Sequence, residues 1–331
     1  MSKKNRNSLP PVSIVIAHRN SSSTILYTLR GIKKQTYPIK EIIIVDNHST
    51  DDSFDKIRKF SSKNKSLNIK IIFQSKNRGV SSSYNLGVKA SKSDGVIIMH
   101  ADGVLPSGRE VDLLMAPVIQ GDDNIAVIGS ITLMPRYVWN KYNFWEKCLL
   151  ARSVDKEAEG FNGKFNYVNK KLYLKVGGFD EKIFWGEDAD FIMRIKKIGK
   201  VVETNARVIH LHYIGDNYSI ADWILNRKLL ARDYGKVIRM HKFNLPLGIF
   251  LVLIKPALAF ASFIPFLFPY NFLTMIIFSF LYMQIMYTTR ETLLNPRIFL
   301  LPFISIALIY YETFWMLEQL LSPVKKWEGV R

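Results

Sequence analysis

Short apolar runs rich in Val and Ile recur through the first part of the chain, each closed by polar residues: SIVIAH (13–18), EIIIVDN (41–47), NIKIIFQS (68–75), GVIIMHAD (95–102) and IAVIGSITL (125–133). Runs of this length and composition are the mark of buried strands. Between them, 22–34, a stretch through Ile57 and Phe60, and 81–90 follow helical spacing, the first opening on Ser and Thr caps and ending at Gln35-Thr36-Tyr37-Pro38. Strands alternating with helices predict an α/β domain with a mainly parallel sheet covered on both faces. In open sheets of that kind ligands bind beyond the carboxyl ends of the strands. Here those ends carry His18, Asp46, 74–78 and Asp102.

The pattern changes at Asn244, after which long apolar stretches dominate: 247–268, 272–287 and 298–321. A helix needs about 20 apolar residues to cross a bilayer core, so the first and last are long enough and the middle one is marginal. Lys255, Pro256 and Pro265 make the first a candidate for a kinked or interfacial piece. The expectation is two full spans with one partial segment, three spans being the rival. An even number of crossings returns Lys325, Lys326 and Arg331 to the cytosol, where basic tails concentrate. The stretch 222–243 is apolar at Trp223, Ile224, Leu229, Leu230, Tyr234, Val237 and Ile238 and basic between. It reads as a helix lying on anionic headgroups, the other reading being a solvated helix packed on the domain. The expected division is an α/β domain over 1–220, a basic interfacial helix over 221–243 and an α-helical membrane region over 244–331.

Charge sharpens this division. Of the net +18 on 331 residues, only +2 lies from Asn244 onward (six Lys/Arg, four Asp/Glu), leaving +16 before it. That part is expected to face something anionic, either a phosphorylated substrate or a membrane surface. No zinc-finger spacing, RNA-binding aromatic signature or basic-helix-plus-heptad pattern accompanies the charge, so nucleic acid is not an expected partner. The single cysteine, Cys148, excludes an internal disulfide and reads as a buried thiol. The polar start MSKKNRNSLPP has no apolar run behind it long enough for a secretory signal, so this end is expected in the cytosol. The expected location is the cytoplasmic membrane, multi-pass, with the soluble domain on the cytosolic side.

Four blocks in order, SIVIAHRN; IIIVDNHSTDDS; NRGVSSSYNLGVKAS with DGVIIMHADGVLP; and VGGFDEKIFWGEDADFIMRIKKIG with ARVIHLHYIG, resemble the family 2 glycosyltransferases from about Val12 to Tyr213. The resemblance implies the nucleotide-binding α/β fold called GT-A and a nucleotide-sugar donor. It places His18, Asp46, Asn47, Arg78 and Asn85 around the nucleotide. Asp46 suits the nucleoside because a carboxylate offers only acceptors, and Arg78 suits phosphate oxygens through its fork of donors. His100-Ala101-Asp102 stands where the family has Asp-any-Asp. Asp102 is thereby implied to hold a divalent cation, Mg²⁺ or Mn²⁺, with His210 or His212 as a further ligand, while His100 departs from the pattern and either tilts the metal choice toward manganese or loosens contact with the nucleoside. Gly177-Gly178-Phe179-Asp180 and Trp185 fall in the acceptor and sugar loop.

Glu187-Asp188 resembles the family's acidic pair on the acceptor side. Inverting transfer needs one base for the acceptor hydroxyl. Asp188 is expected in that role, with Glu187 as helper. The implied acceptor is a lipid-linked or membrane-associated saccharide, the Gly-Gly-Phe-Asp and Glu-Asp stretches being similar to those of rhamnosyl- and related chain-extending transferases. A polyprenyl-phosphate sugar synthase and a catalytically silent nucleotide-sugar-binding membrane protein are the alternatives. A processive synthase is disfavoured by the lack of a Gln-any-any-Arg-Trp motif.

Overall fold

The computed structural model describes residues 9–122, 124–161, 163–184, 186–212, 219–241, 253–264 and 268–322. Trp185 and the tail residues Lys325, Lys326 and Arg331 lie outside the described residues. In chain order the elements are β1 (Val12–His18), α1 (Ile25–Lys33), β2 (Ile39–Asp46), α2 (Ser53–Lys63), β3 (Ile69–Phe73), α3 (Gly79–Ala90), β4 (Gly95–His100), β5 (Gly103–Val104), α4 (Glu110–Ile119) and β6 (Ile125–Leu133). There follow α5 (Arg136–Trp139), α6 (Phe144–Leu149), β7 (Glu157–Ala158), β8 (Phe165–Asn169), α7 (Lys170–Lys175), α8 (Glu187–Ile195) and β9 (Lys200–His210). The C-terminal part adds α9 (Ile220–Met240), α10 (Ile254–Ala261), α11 (Phe268–Tyr287), α12 (Arg290–Leu293) and α13 (Leu301–Leu321).

All five expected strands form. They belong to one mixed sheet in the order β3-β2-β1-β4-β8-β6-β9-β5, with β7 beside β6. The first four strands of that order are parallel to one another; β8 is antiparallel to both β4 and β6, and β6 runs parallel to β9. Because side chains alternate across a strand, β1 sends Ile14 and Ile16 into a core with Leu29, Ile57 and Leu114, and Val15 into a second core with Tyr84, Val88 and Phe191. Burial on both faces is why the strand reads as a continuous apolar run. Gly87 lets α3 lie close to the sheet: a Cβ there would collide with Val15 and come within 3.2 Å of Val45.

The helix at 220–240 packs much of its apolar side on protein, with Ile224 and Leu225 left exposed. Trp223 sits with Phe144, Tyr287 and Leu301, while Ala231 and Ile238 meet Met316. Gly235 faces the Met316 carbonyl so closely that no side chain fits between α9 and α13. Arg227 grips Glu312 of α13 through two hydrogen bonds of 2.7 and 3.0 Å, and Lys255 reaches the same carboxylate at 2.7 Å. A carboxylate buried on an apolar helix requires such partners.

Among the described residues one helix, Pro296–Leu321, is long and apolar enough to cross a membrane, where two spans were expected. The apolar stretch Pro269–Leu281 of α11 is shorter, and α10 has eight residues. Phe263, Tyr270, Phe299, Phe303 and Leu321 are nonetheless strongly exposed on this helical part. Cys148 is buried, as expected.

Gly87→Val is expected to destabilise the domain by about 1–3 kcal/mol through overpacking against Val15 and Val45, read as a lower unfolding midpoint; an unchanged midpoint would mean that α3 does not need its close seat on the sheet.

Candidate active site

The site begins with strand register. The two-residue strand β5 pairs with the end of β9, Gly103 opposite His210, and the Leu211 amide donates to the Asp102 carbonyl at 2.9 Å. This brings His210 Nε2 to 3.1 Å from Asp102 Oδ2. His100, at the exit of β4, lies on the other side, its Nδ1 3.8 Å from Asp102 Oδ1. One ligand atom from each of His100, Asp102 and His210 falls within 4.8 Å of the others. Asp102 Oδ1 is buried and has no hydrogen-bond partner. A buried, unpaired carboxylate oxygen is costly unless something meets it, and with two imidazoles beside it the set fits a divalent cation. Burial pushes the Asp102 carboxyl up, yet His210, His100 and His212 together hold it well below the ordinary range. Burial outweighs the pull of Asp102 on His100 and drops its imidazole to about 4, so a lone pair is free near neutral pH. His212 is the ring that the cluster leaves out. Its backbone turns left-handed (φ +37°), which breaks the alternation of β9.

The neighbouring strand ends complete one wall. His18 and Asp46 are opposite one another in the β1–β2 pairing. His18 is 4% exposed, with Nε2 unpartnered and 3.7 Å from Asp46 Oδ1. Burial lowers its pKa despite Asp46 and Asp51. His18, His100 and Asp102 line a cleft of about 310 Å³ together with Asn20, Ser21 and Thr24. A second cleft of about 180 Å³ adjoins it and is lined by His18, Asn47, Asn77, Gly79, Ser83 and Phe184. Asn47 is fixed there, accepting the Arg78 amide at 2.7 Å and donating to Asn77 Oδ1 at 2.8 Å.

The acidic pair opens α8 after Gly186, whose φ of +81° suits glycine. Successive helix residues point about 100° apart, so Glu187 and Asp188 face different surroundings. Asp188 lines a cleft of about 210 Å³ with Phe161, Ile192, Lys196, Val201 and Glu203. Burial, then Asp188 and Asp233, push the Glu187 carboxyl up to about 8 against the opposing pull of Lys164. Burial also raises Asp188. The Tyr84 phenol, raised first by burial, feels both Glu187 and Asp102. The Lys164 ammonium acts on His100 and His212 as well as on Glu187 and Asp188. Asp102 and Asp188 therefore line different clefts, not one shared cleft as the resemblance implied, and the Lys164 ammonium is a charge that bears on both.

Residues 13–177 match the family described as Glycosyl transferase family 2. The chain carries a family 2 glycosyltransferase domain. Among solved structures, the mannosyltransferase PcManGT of Pyrobaculum calidifontis, in complex with GDP-Man and Mn²⁺, is 14% identical, with a TM-score of 0.59 over 96% of this chain and 88% of that one. GalNAc-T7 with UDP, GalNAc and Mn²⁺ is 16% identical, with a TM-score of 0.51 over 70% of this chain and 48% of that one, so the glycosyltransferase spans about half its length. At these identities the likenesses show the fold. No curated protein matches the sequence.

Several expected site residues of this glycosyltransferase do other work. Asn85 is consumed by the Gly-Gly-Phe-Asp turn: its side chain donates to the Phe179 carbonyl and accepts the Phe179 amide, both at 2.9 Å, and accepts the Tyr173 hydroxyl at 2.6 Å. Gly178 (φ +68°) has no room for a Cβ beside it. Phe179 is buried among Tyr84, Tyr173 and Phe191. Asp180 caps the Lys182 amide at 2.8 Å. The Arg78 side chain is exposed. Lys164, Tyr84 and Asp233 were not anticipated. Lys164 had one legible signal, its place in FNGKFNYVNKK just before a strand-like run; the other two act through long-range packing.

Asn85→Ala is expected to lower stability by about 1–3 kcal/mol, read as a lower unfolding midpoint, with donor affinity unchanged; weakened donor binding at unchanged stability would return Asn85 to the nucleotide pocket.

Proposed function

We propose that this glycosyltransferase moves a sugar from a nucleotide-sugar donor to a hydroxyl of a lipid-linked or membrane-associated saccharide by a single inverting displacement. The observation that carries the reading is the cluster of His100, Asp102 and His210 in electrostatic reach of the same lysine as the acidic pair. Asp102 with His210 and His100 would hold a divalent cation, and a bound cation supplies charge neutralisation for the departing nucleoside diphosphate. Imidazole ligands suit Mn²⁺ better than Mg²⁺. His18, Asp46 and Asn47 form the wall proposed to take the nucleoside, with Lys164 as further positive charge for the diphosphate. Exposed apolar residues of α10, α11 and α13 and the basic charge before Asn244 support a membrane-associated acceptor, with the catalytic domain on the cytosolic side.

The base is assigned to Glu187 instead of Asp188. Burial, then Asp188, raise the Glu187 pKa to about 8, which makes a carboxylate that binds a proton well. In the reaction the Glu187 carboxylate takes the acceptor hydroxyl proton as that oxygen bonds to the anomeric carbon from the face opposite the diphosphate. The bond from carbon to the diphosphate oxygen breaks and its electron pair leaves with the nucleotide.

Three outcomes follow for transfer measured with a panel of nucleotide sugars, membrane lipid extract as acceptor, and product mass as readout. Glu187→Gln loses about 10²–10⁴-fold in kcat/KM, whereas Asp188→Asn loses less; the reverse ranking would restore Asp188 as the base. Because Glu187 must be ionised to act, kcat rises as pH approaches about 8 and levels off above it; a profile flat from pH 5 to 9 would contradict the assignment. A soluble acceptor used as well as the lipid extract would contradict the membrane-associated substrate.

A further inference from the structure

We propose that Asp233 of α9 is a positioning residue for the acidic pair, holding the segment before α8 so that Glu187 keeps its place and its charge environment. The proposal rests on the reading of Glu187 as the base. Asp233 is 2% exposed, yet it lies on a helix outside the family 2 region matched at 13–177. Its Oδ2 accepts the Phe184 amide at 3.0 Å, three residues before Glu187. Its Oδ1 pairs with Lys236 Nζ at 2.6 Å, and the same ammonium donates to the Lys182 carbonyl at 3.1 Å. Beyond Glu187, His241 Nε2 at the end of α9 meets Asp190 Oδ1 at 2.9 Å. Asp190 is fully buried and also pairs with Arg194, whose Nη1 donates to the carbonyls of Val176 and Gly178 at 2.9 and 2.8 Å.

α9 therefore grips the loop on both sides of the acidic pair. A backbone amide held by a buried carboxylate is a strong, charge-assisted contact, and the helix carrying that carboxylate is itself braced on α13 by Gly235 and by Arg227 with Glu312. The charged and titratable groups facing Glu187 are Asp188 on its own helix, Asp233 on α9, Lys164 ahead of β8 and the Tyr84 phenol of α3. Asp233 adds negative charge to that ring, so the geometric tether is also an electrostatic one: it disfavours ionisation of Glu187.

The test needs no substrate. Glu187 has a folded pKa of about 8 against an ordinary 4.5. Between those values the unfolded chain gives up the proton first, so Glu187 makes stability fall as pH rises through this window and leaves it untouched below. Unfolding midpoints of the full chain in detergent from pH 5 to 9 are compared for wild type, Asp233→Asn, Glu187→Gln and the double variant. Glu187→Gln is expected to flatten the decline with pH, and Asp233→Asn to reduce the part that Glu187 causes while changing nothing further in the Glu187→Gln background. Asp233→Ala, which also deletes the acceptor, is expected to speed amide exchange across 182–190, and Asp233→Asn is not. Mn²⁺ affinity unchanged in all variants reports an intact fold around the cluster.

An Asp233→Asn effect that is the same with or without Glu187, a Glu187→Gln variant with the wild-type pH dependence, or unchanged exchange in Asp233→Ala overturns the proposal. A Glu187→Gln enzyme that keeps full transfer activity instead removes the base assignment and leaves this coupling standing.

Discussion

Everything at this site depends on where Asp102 is held. A carboxylate at the exit of β4 becomes useful only when β5 turns back and pairs with the last residues of β9, because that pairing alone delivers His210 to its Oδ2. Gly103 makes the approach tight: a Cβ there would come to 3.0 Å from Val208 and 3.2 Å from the Lys164 carbonyl. Lys164, just ahead of β8, is seated next to the same place, its carbonyl accepting the His100 amide at 3.3 Å. Residues more than a hundred positions apart are thus brought together by two backbone pairings, and the chemistry of the site is set by that register.

The C-terminal helices are not an appendage to this arrangement. α9 packs between the segment before α8 and α13, and Arg227 pairs there with Glu312 of the apolar helix. Removing Glu312 would take the shared carboxylate from both Arg227 and Lys255. The apolar region therefore serves as scaffold for the loop bearing Glu187 as well as offering an exposed apolar surface.

How much of this the sequence disclosed follows from which forces are local. β1, β2, β4 and β6 were legible because strands buried on both faces write themselves as Val and Ile runs, and the edge strand β3, only half-buried, still showed its IKIIF run. β8 was not, since FNYVN carries two asparagines, and β5 is too short to leave a pattern. The candidate cation ligands Asp102, His100 and His210 were visible through motif spacing, but the choice between His210 and His212 required the left-handed turn at His212. Asn85 looked like a pocket residue and proved to be the hydrogen-bonding centre of the Gly-Gly-Phe-Asp turn. The apolar stripe of α9 looked like a membrane face because amphipathicity is the same whether the partner is lipid or another helix. The order of roles within Glu187-Asp188 depends on which way each side chain leaves the helix, and spacing alone does not encode that.

The central claim is that His100, Asp102 and His210 form a cation site. Titration of Mn²⁺ into the full-length protein, followed by the loss of the free-ion electron paramagnetic resonance signal, measures it without any substrate. The account predicts one tight Mn²⁺ per chain in the wild type and a loss of affinity of tenfold or more, roughly 1.4 kcal/mol, in both Asp102→Asn and His210→Ala. Wild-type affinity retained in either variant would contradict it.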